Sequence, residues 1–162
     1  MTPETRQTRL ERYSRAHTDL RAALAAIPPA FRQRRATTDP WTIHEIIVHI
    51  TDSEANSYIR CRMALAQPGA AVMAYDEMGW ATALDYAGQD TAGALELFRL
   101  LRGQTYHIVR NLPDATWTTH TMQHPDNGLM TLDDWLAVYA SHVPDHIAQM
   151  QAIYAQLQHD NG

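Results

Sequence analysis

Lysine is absent from this chain, and cysteine occurs once, at position 61. A lone Cys61 cannot close an internal disulfide, which argues against a disulfide-stapled secreted scaffold and fits a reducing cytoplasm. No apolar run approaches the ~20 residues of a membrane span, and the opening MTPETRQTRLERY does not read as a signal peptide. There is also no alternating β pattern of useful length, no internal repeat and no low-complexity tract. Every basic residue is therefore an arginine: eight lie in residues 1–35 against Glu4, Glu11 and Asp19, and five face fifteen acids in the remainder. A basic amino-terminal segment on an acidic body invites a nucleic-acid reading. Arg6, Arg9, Arg12 and Arg15 spiral around their helix instead of forming one basic face, which argues against it. At 162 residues the chain is expected to be a single domain, residues 1–162, with a core of its own.

What is present is helical periodicity. Leu10, Tyr13, His17, Leu20, Leu24 and Ile27 recur at 3-4 spacing up to the break at Pro28–Pro29. Thr42 and Glu45 form a capping-box pattern, after which Ile43, Ile46, Ile47, Ile50 and Cys61 share a face. Asp90 is placed to cap a third helix, with Ala94, Leu97, Phe98, Leu101 and Ile108 as its apolar face. Thr131 opens a fourth, whose stripe is Leu132, Trp135, Leu136, Tyr139, Val143, Met150, Ile153 and Leu157. Four amphipathic helices bury their stripes most simply as an all-α four-helix bundle. Two long connections, both carrying tryptophan, are expected to be ordered. The first is long enough to make the second and third helices parallel.

The fourth stripe contains the chemistry. ASHVPDHIAQM (140–150) places His142 and His146 about 40° and about 6 Å apart on an ideal helix, so their rings can converge on one ion. Buried imidazoles need partners: a metal, or hydrogen bonds in the interior. On the second helix His49 flanks the isoleucine face, with Glu45 one turn before it and Asp52 one turn after. His44 points about 140° away and is expected to be solvated. Cys61 reads as an inert core thiol, His17 as a hydrogen-bonded interior histidine, and His124 as a site residue or a turn former. Tyr86 and Trp80 are read as packing of the long loop or as pocket lining. Pro144 removes the hydrogen bond to the Ala140 carbonyl, and is expected to bend the helix around the two histidines.

DPWTIHEIIVHITDSEANSYIRCRMAL, then YDEMGWATALDY, then HPDNGLMTLDDWLAVYASHVPDHIAQM resemble the DinB/YfiT-like superfamily, in order and over nearly the whole chain. The strongest marks are a tryptophan eight residues before His49 and the H-x-x-D-H pattern ending at His146. The resemblance implies an up-down-down-up bundle, a divalent metal on His49, His142 and His146, and homodimer formation. It also implies thiol-dependent chemistry, since relatives include bacillithiol-dependent transferases and mycothiol-dependent isomerases.

Three neutral imidazoles leave coordination positions open, the arrangement of a catalytic site, and Zn, Ni, Fe or Mn would each accept them. The expected function is metal-dependent thiol transfer or hydrolysis on a small molecule, the expected cofactor being a divalent ion, to which the resemblance adds a low-molecular-weight thiol. The alternative is a non-catalytic metal- or ligand-binding stress-response protein. Glu45 and Asp52 are the candidate catalytic carboxylates, or else helix-surface charges. Protons are expected to compete with the metal as pH falls through the ordinary histidine pKa of ~6.5.

Overall fold

A computed structural model describes residues 1–160. Thr2 caps α1 (Pro3–Ala25), whose first turn tolerates Pro3 because that position has no intrahelical N–H bond to lose. Past Pro28 comes one turn, α2 (Pro29–Arg32), and then α3 (Ile43–Ala66). The connection to the next long helix contains α4 (Glu77–Ala83) and a 3₁₀ turn at Tyr86–Gly88. Asp90 caps α5 (Thr91–Val109) through the amides of Ala92 and Gly93. A short α6 (Asp114–Thr119) and a hairpin, β1 (Thr121–His124) and β2 (Gly128–Thr131), lead into α7 (Leu132–His159).

The long helices α1, α3, α5 and α7 form the bundle, with α7 between α1 and α3, and α5 on their other side. Their directions follow from cross-helix bonds. Thr51 meets Ala94 and Arg62 meets Thr105, so α3 and α5 run parallel. Arg6 binds Asp133 and Tyr13 packs on Trp135, so α1 and α7 are parallel too. Arg60 reaching Tyr139 while His49 faces His146 sets α3 against α7, and the order is up-down-down-up.

The α7 stripe is buried as its spacing predicts, from Leu132 to Leu157. The α5 face is turned relative to its predicted one. Phe98, Arg102, Thr105 and Val109 point inward, while Leu97 and Ile108 are 48% and 38% exposed. The cause lies on α3: buried Glu54 takes Arg102 into the core, and Thr51 donates to the Ala94 carbonyl. Apolarity alone could not reveal that partner.

The hairpin is a further difference. Four-residue strands are too short for an alternation signal, yet β1 turns Met122 and His124 inward. Gly128 occupies a left-handed backbone position (φ 68°) that favours glycine. The strand also pairs with residues 69–72 through Gly69, Ala70 and Val72, so the two long connections brace each other.

Cys61 is fully buried, and burial pushes its thiol pKa up to about 12. The thiolate is the reactive form. Cys61 in native protein at pH 8 is therefore expected to resist a maleimide or disulfide reagent and to react fully in denaturant. Rapid native labelling would show this core to be open.

Candidate metal centre

The start of α3 sets the site. Glu45 accepts from the Thr42 amide at 2.7 Å and the Thr42 hydroxyl accepts from the Glu45 amide at 3.1 Å, closing the capping box. Arg35 donates to both Glu45 oxygens at 2.9 and 3.0 Å. One turn on, His49 is 1% exposed, with its ring 4.4 Å edge-on from that of Trp41. From α7, His142 and His146 meet it: ring centroids lie 5.3 Å (His49–His142), 4.9 Å (His49–His146) and 4.5 Å (His142–His146) apart. The helix continues through Pro144, and nearby carbonyls gain side-chain donors: Ala137 and Val138 from Ser141, and Tyr139 from Arg102.

One nitrogen from each ring lies within 4.8 Å of the others. The Nε2 atoms of His142 and His146 are already 3.2 Å apart, against about 3.3 Å between two nitrogens on a tetrahedral zinc with bonds of 2.0–2.1 Å. Two facing ring nitrogens can share only one proton, and His49 Nδ1 is buried with no hydrogen bond. Such a donor set is costly on its own and fits a divalent cation. Burial, with His146 as a neighbour, lowers the His49 pKa to about 3; burial, then His146 and His49, lowers that of His142 to about 2. These two imidazoles therefore stay neutral well below the ordinary ~6.5, so protons would compete with an ion held there only in a lower range than the sequence alone suggests.

Asp52 accepts from the Tyr86 hydroxyl at 2.5 Å, and burial first, then Asp52, raises the Tyr86 pKa well above its ordinary value. His44 is part-buried, its Nε2 3.1 Å from the Tyr86 carbonyl, and so is not the solvated residue expected. His17 is also not the hydrogen-bonded interior residue its spacing suggests: it sits half-buried in the α1–α5 groove, with its ring 6.2 Å from Phe98. His124 both shapes the hairpin turn, through the amides of Asp126 and Asn127, and lines the site.

A cavity of about 340 Å³ opens against His142, lined by Ser53, Arg60, Tyr75, His124 and Tyr139. A larger cleft of about 550 Å³ lies by Arg6 and Trp117, with no histidine in its walls. The smaller one is the candidate substrate space because a histidine of the cluster lines it. Arg60 is held by Tyr139 Oη and the Met73 carbonyl, and the buried Tyr75 hydroxyl lies beside Ser53. Arg60 and Tyr75 escaped the sequence reading because no spacing links them to the histidines, and spacing marks Tyr139 only as a member of the α7 apolar stripe. Gln149, bonded to His146, could have been found from its i+3 position.

A model of the DinB superfamily matches residues 12–150, and the chain belongs to that superfamily. It is 33% identical over 111 residues to a relative from Halalkalibacterium halodurans, covering 68% of this chain and 64% of that protein. It is equally 33% identical over 111 residues to YfiT of Bacillus subtilis, covering 68% and 62%. Both carry names that infer metal-dependent hydrolysis, and the matched region spans less than two thirds of either relative. The solved structure of B. subtilis YfiT matches with a TM-score of 0.89 at 25% identity, over 98% of this chain and 90% of that one. It is described as an inferred metal-dependent hydrolase with an unusual four-helix bundle topology.

Proposed function

We propose that this chain is a metal-dependent enzyme that holds one divalent ion on His49, His142 and His146 and acts on a small molecule in the adjoining cavity. The observation that carries this reading is the convergence of three imidazoles beside that cavity, two of them kept neutral by burial. A divalent ion there would lower the pKa of a bound water, for hydrolysis, or of a thiol, for transfer to an electrophile. Asp52, already paired with Tyr86, is the carboxylate proposed to accept a proton. Glu45, committed to the Thr42 amide and Arg35, is proposed to act by holding the start of α3 and thereby His49. Arg60 and Tyr139 wall the cavity and orient what enters it. The proposed setting is a cytoplasmic homodimer, supported by family resemblance and by the absence, among the described residues, of a helix able to cross a membrane.

Protein purified without added metal is expected to contain about one divalent ion per chain by elemental analysis, and His146→Ala to lose it. Unchanged metal content in that variant refutes the ligand set. Turnover is then assayed with activated esters and amides, and with small thiols plus electrophiles. Metal bound without turnover of either group would favour the non-catalytic binding protein.

A further inference from the structure

The outer nitrogen of His146 is committed to a partner whose own orientation is dictated from elsewhere in the chain. His146 Nδ1 lies 2.7 Å from Gln149 Oε1, and Gln149 Nε2 donates to Asp39 Oδ2 at 2.8 Å. A carboxylate accepts and an amide NH₂ donates, so Asp39 turns the Gln149 NH₂ toward itself and leaves only the carbonyl oxygen for the imidazole. That oxygen requires a proton on His146 Nδ1. Nε2 is then a bare lone pair, aimed at His142 Nε2 3.2 Å away. The opposite arrangement, with the proton on Nε2, would need Gln149 to present its NH₂ to the ring, and Asp39 forbids it. Asp39 is itself anchored, since its Oδ1 accepts from the Trp41 amide at 2.9 Å in the turn before α3. The relay thus couples α7 to the segment that launches His49.

We propose that Asp39 and Gln149 are positioning residues that fix His146 in its metal-competent tautomer. This rests on the three-histidine metal site proposed above. Outer partners of this kind orient ligating histidines and typically change metal affinity by about 10–100-fold.

Asp39→Asn is the sharp variant, because it is isosteric. The new amide keeps its oxygen on the Trp41 N–H and presents its NH₂ to Gln149. Gln149 must then rotate its oxygen toward position 39 and its NH₂ toward His146, which moves the ring proton to Nε2. Nitrogen NMR of the metal-free wild type is expected to find His146 protonated at Nδ1, and Asp39→Asn to exchange the two positions. Zinc affinity, measured by competition with a chromophoric chelator, is expected to fall about 10–100-fold in Asp39→Asn and in Gln149→Leu. The double variant should be no weaker than Gln149→Leu alone, since both act through one path. Helical circular dichroism and metal-free melting close to wild type would separate this from unfolding. A wild-type tautomer protonated at Nε2, or wild-type zinc affinity in folded Asp39→Asn, overturns the relay. Zinc that does not bind the wild type overturns the metal site, and the tautomer exchange in metal-free protein then decides the relay by itself.

Discussion

Replacing Arg102 by leucine is expected to destabilise the protein by about 3–5 kcal/mol, the cost of stripping the partner from a buried charge. Arg102 is 2% and Glu54 1% exposed, and Nη2 donates to Glu54 Oε2 at 2.5 Å. The other Glu54 oxygen accepts from the Tyr13 hydroxyl at 2.8 Å. The Arg102 guanidinium carbon stands 3.9 Å from the Tyr13 ring centre and 4.9 Å from that of Phe98, residues of the two apolar clusters that make up the core. Removing the cation leaves a carboxylate in that interior with one hydroxyl for company. Against a total stability of about 5–15 kcal/mol, this is a large fraction. Tyr13→Phe deletes one hydrogen bond of the network and should cost about 1–2 kcal/mol. Replacing both charges, Arg102→Met with Glu54→Leu, should recover most of the single-variant loss, because two desolvation costs disappear with the pair. Urea unfolding of the four proteins measures all of this. A loss under 1 kcal/mol for Arg102→Leu would mean that water reaches Glu54 and that the network is not sealed.

In excess chelator, stability is expected to fall as pH drops below 6.5, steepening toward about 2.7 kcal/mol per pH unit from His49 and His142 together. The sign follows from where protons bind. In the unfolded chain both histidines titrate near ~6.5. In the folded protein, burial holds them down to about 3 and about 2, so over the acid range the unfolded state binds more protons and is favoured. The stability they permit is full above pH 7 and is progressively lost on acidification. His17 and His124, also lowered chiefly by burial, add to the slope in the same sense. The diagnostic is therefore a difference: His142→Gln should shed about 1.2 kcal/mol per pH unit of slope between pH 6 and 5, half of the pair's contribution there. Equal slopes in wild type and variant would show that His142 is hydrated in the folded protein. Above pH 5 the Asp133 carboxylate, held below its usual range, does not contribute, because neither its folded nor its unfolded form takes up protons there.

Periodicity and end signals determined much of this protein. The stripes of α1, α3 and α7, the capping boxes Thr42–Glu45 and Thr131–Asp134 and the Asp90 cap are local, set by 3.6-residue spacing and by side chains reaching amides two or three residues away. His142 and His146 share that locality, so their convergence was legible from i and i+4 alone. His49 reads as their partner from its place on the flank of the isoleucine face of α3, and the family resemblance makes it the third ligand, although nothing local says which flank of α3 faces α7. Only the tertiary structure decided the rest. The turned face of α5 depends on Glu54, far off in the chain, and Arg102 looks like a solvent residue until that partner is in place. The Asp39–Gln149 link joins residues 110 apart, and the wall of Arg60, Tyr75, His124 and Tyr139 gathers α3, two connections and α7. Short-range spacing encodes which residues one element presents together. Desolvation, pairing of buried charge and the shape of a cavity arise only once separate elements close around the same volume.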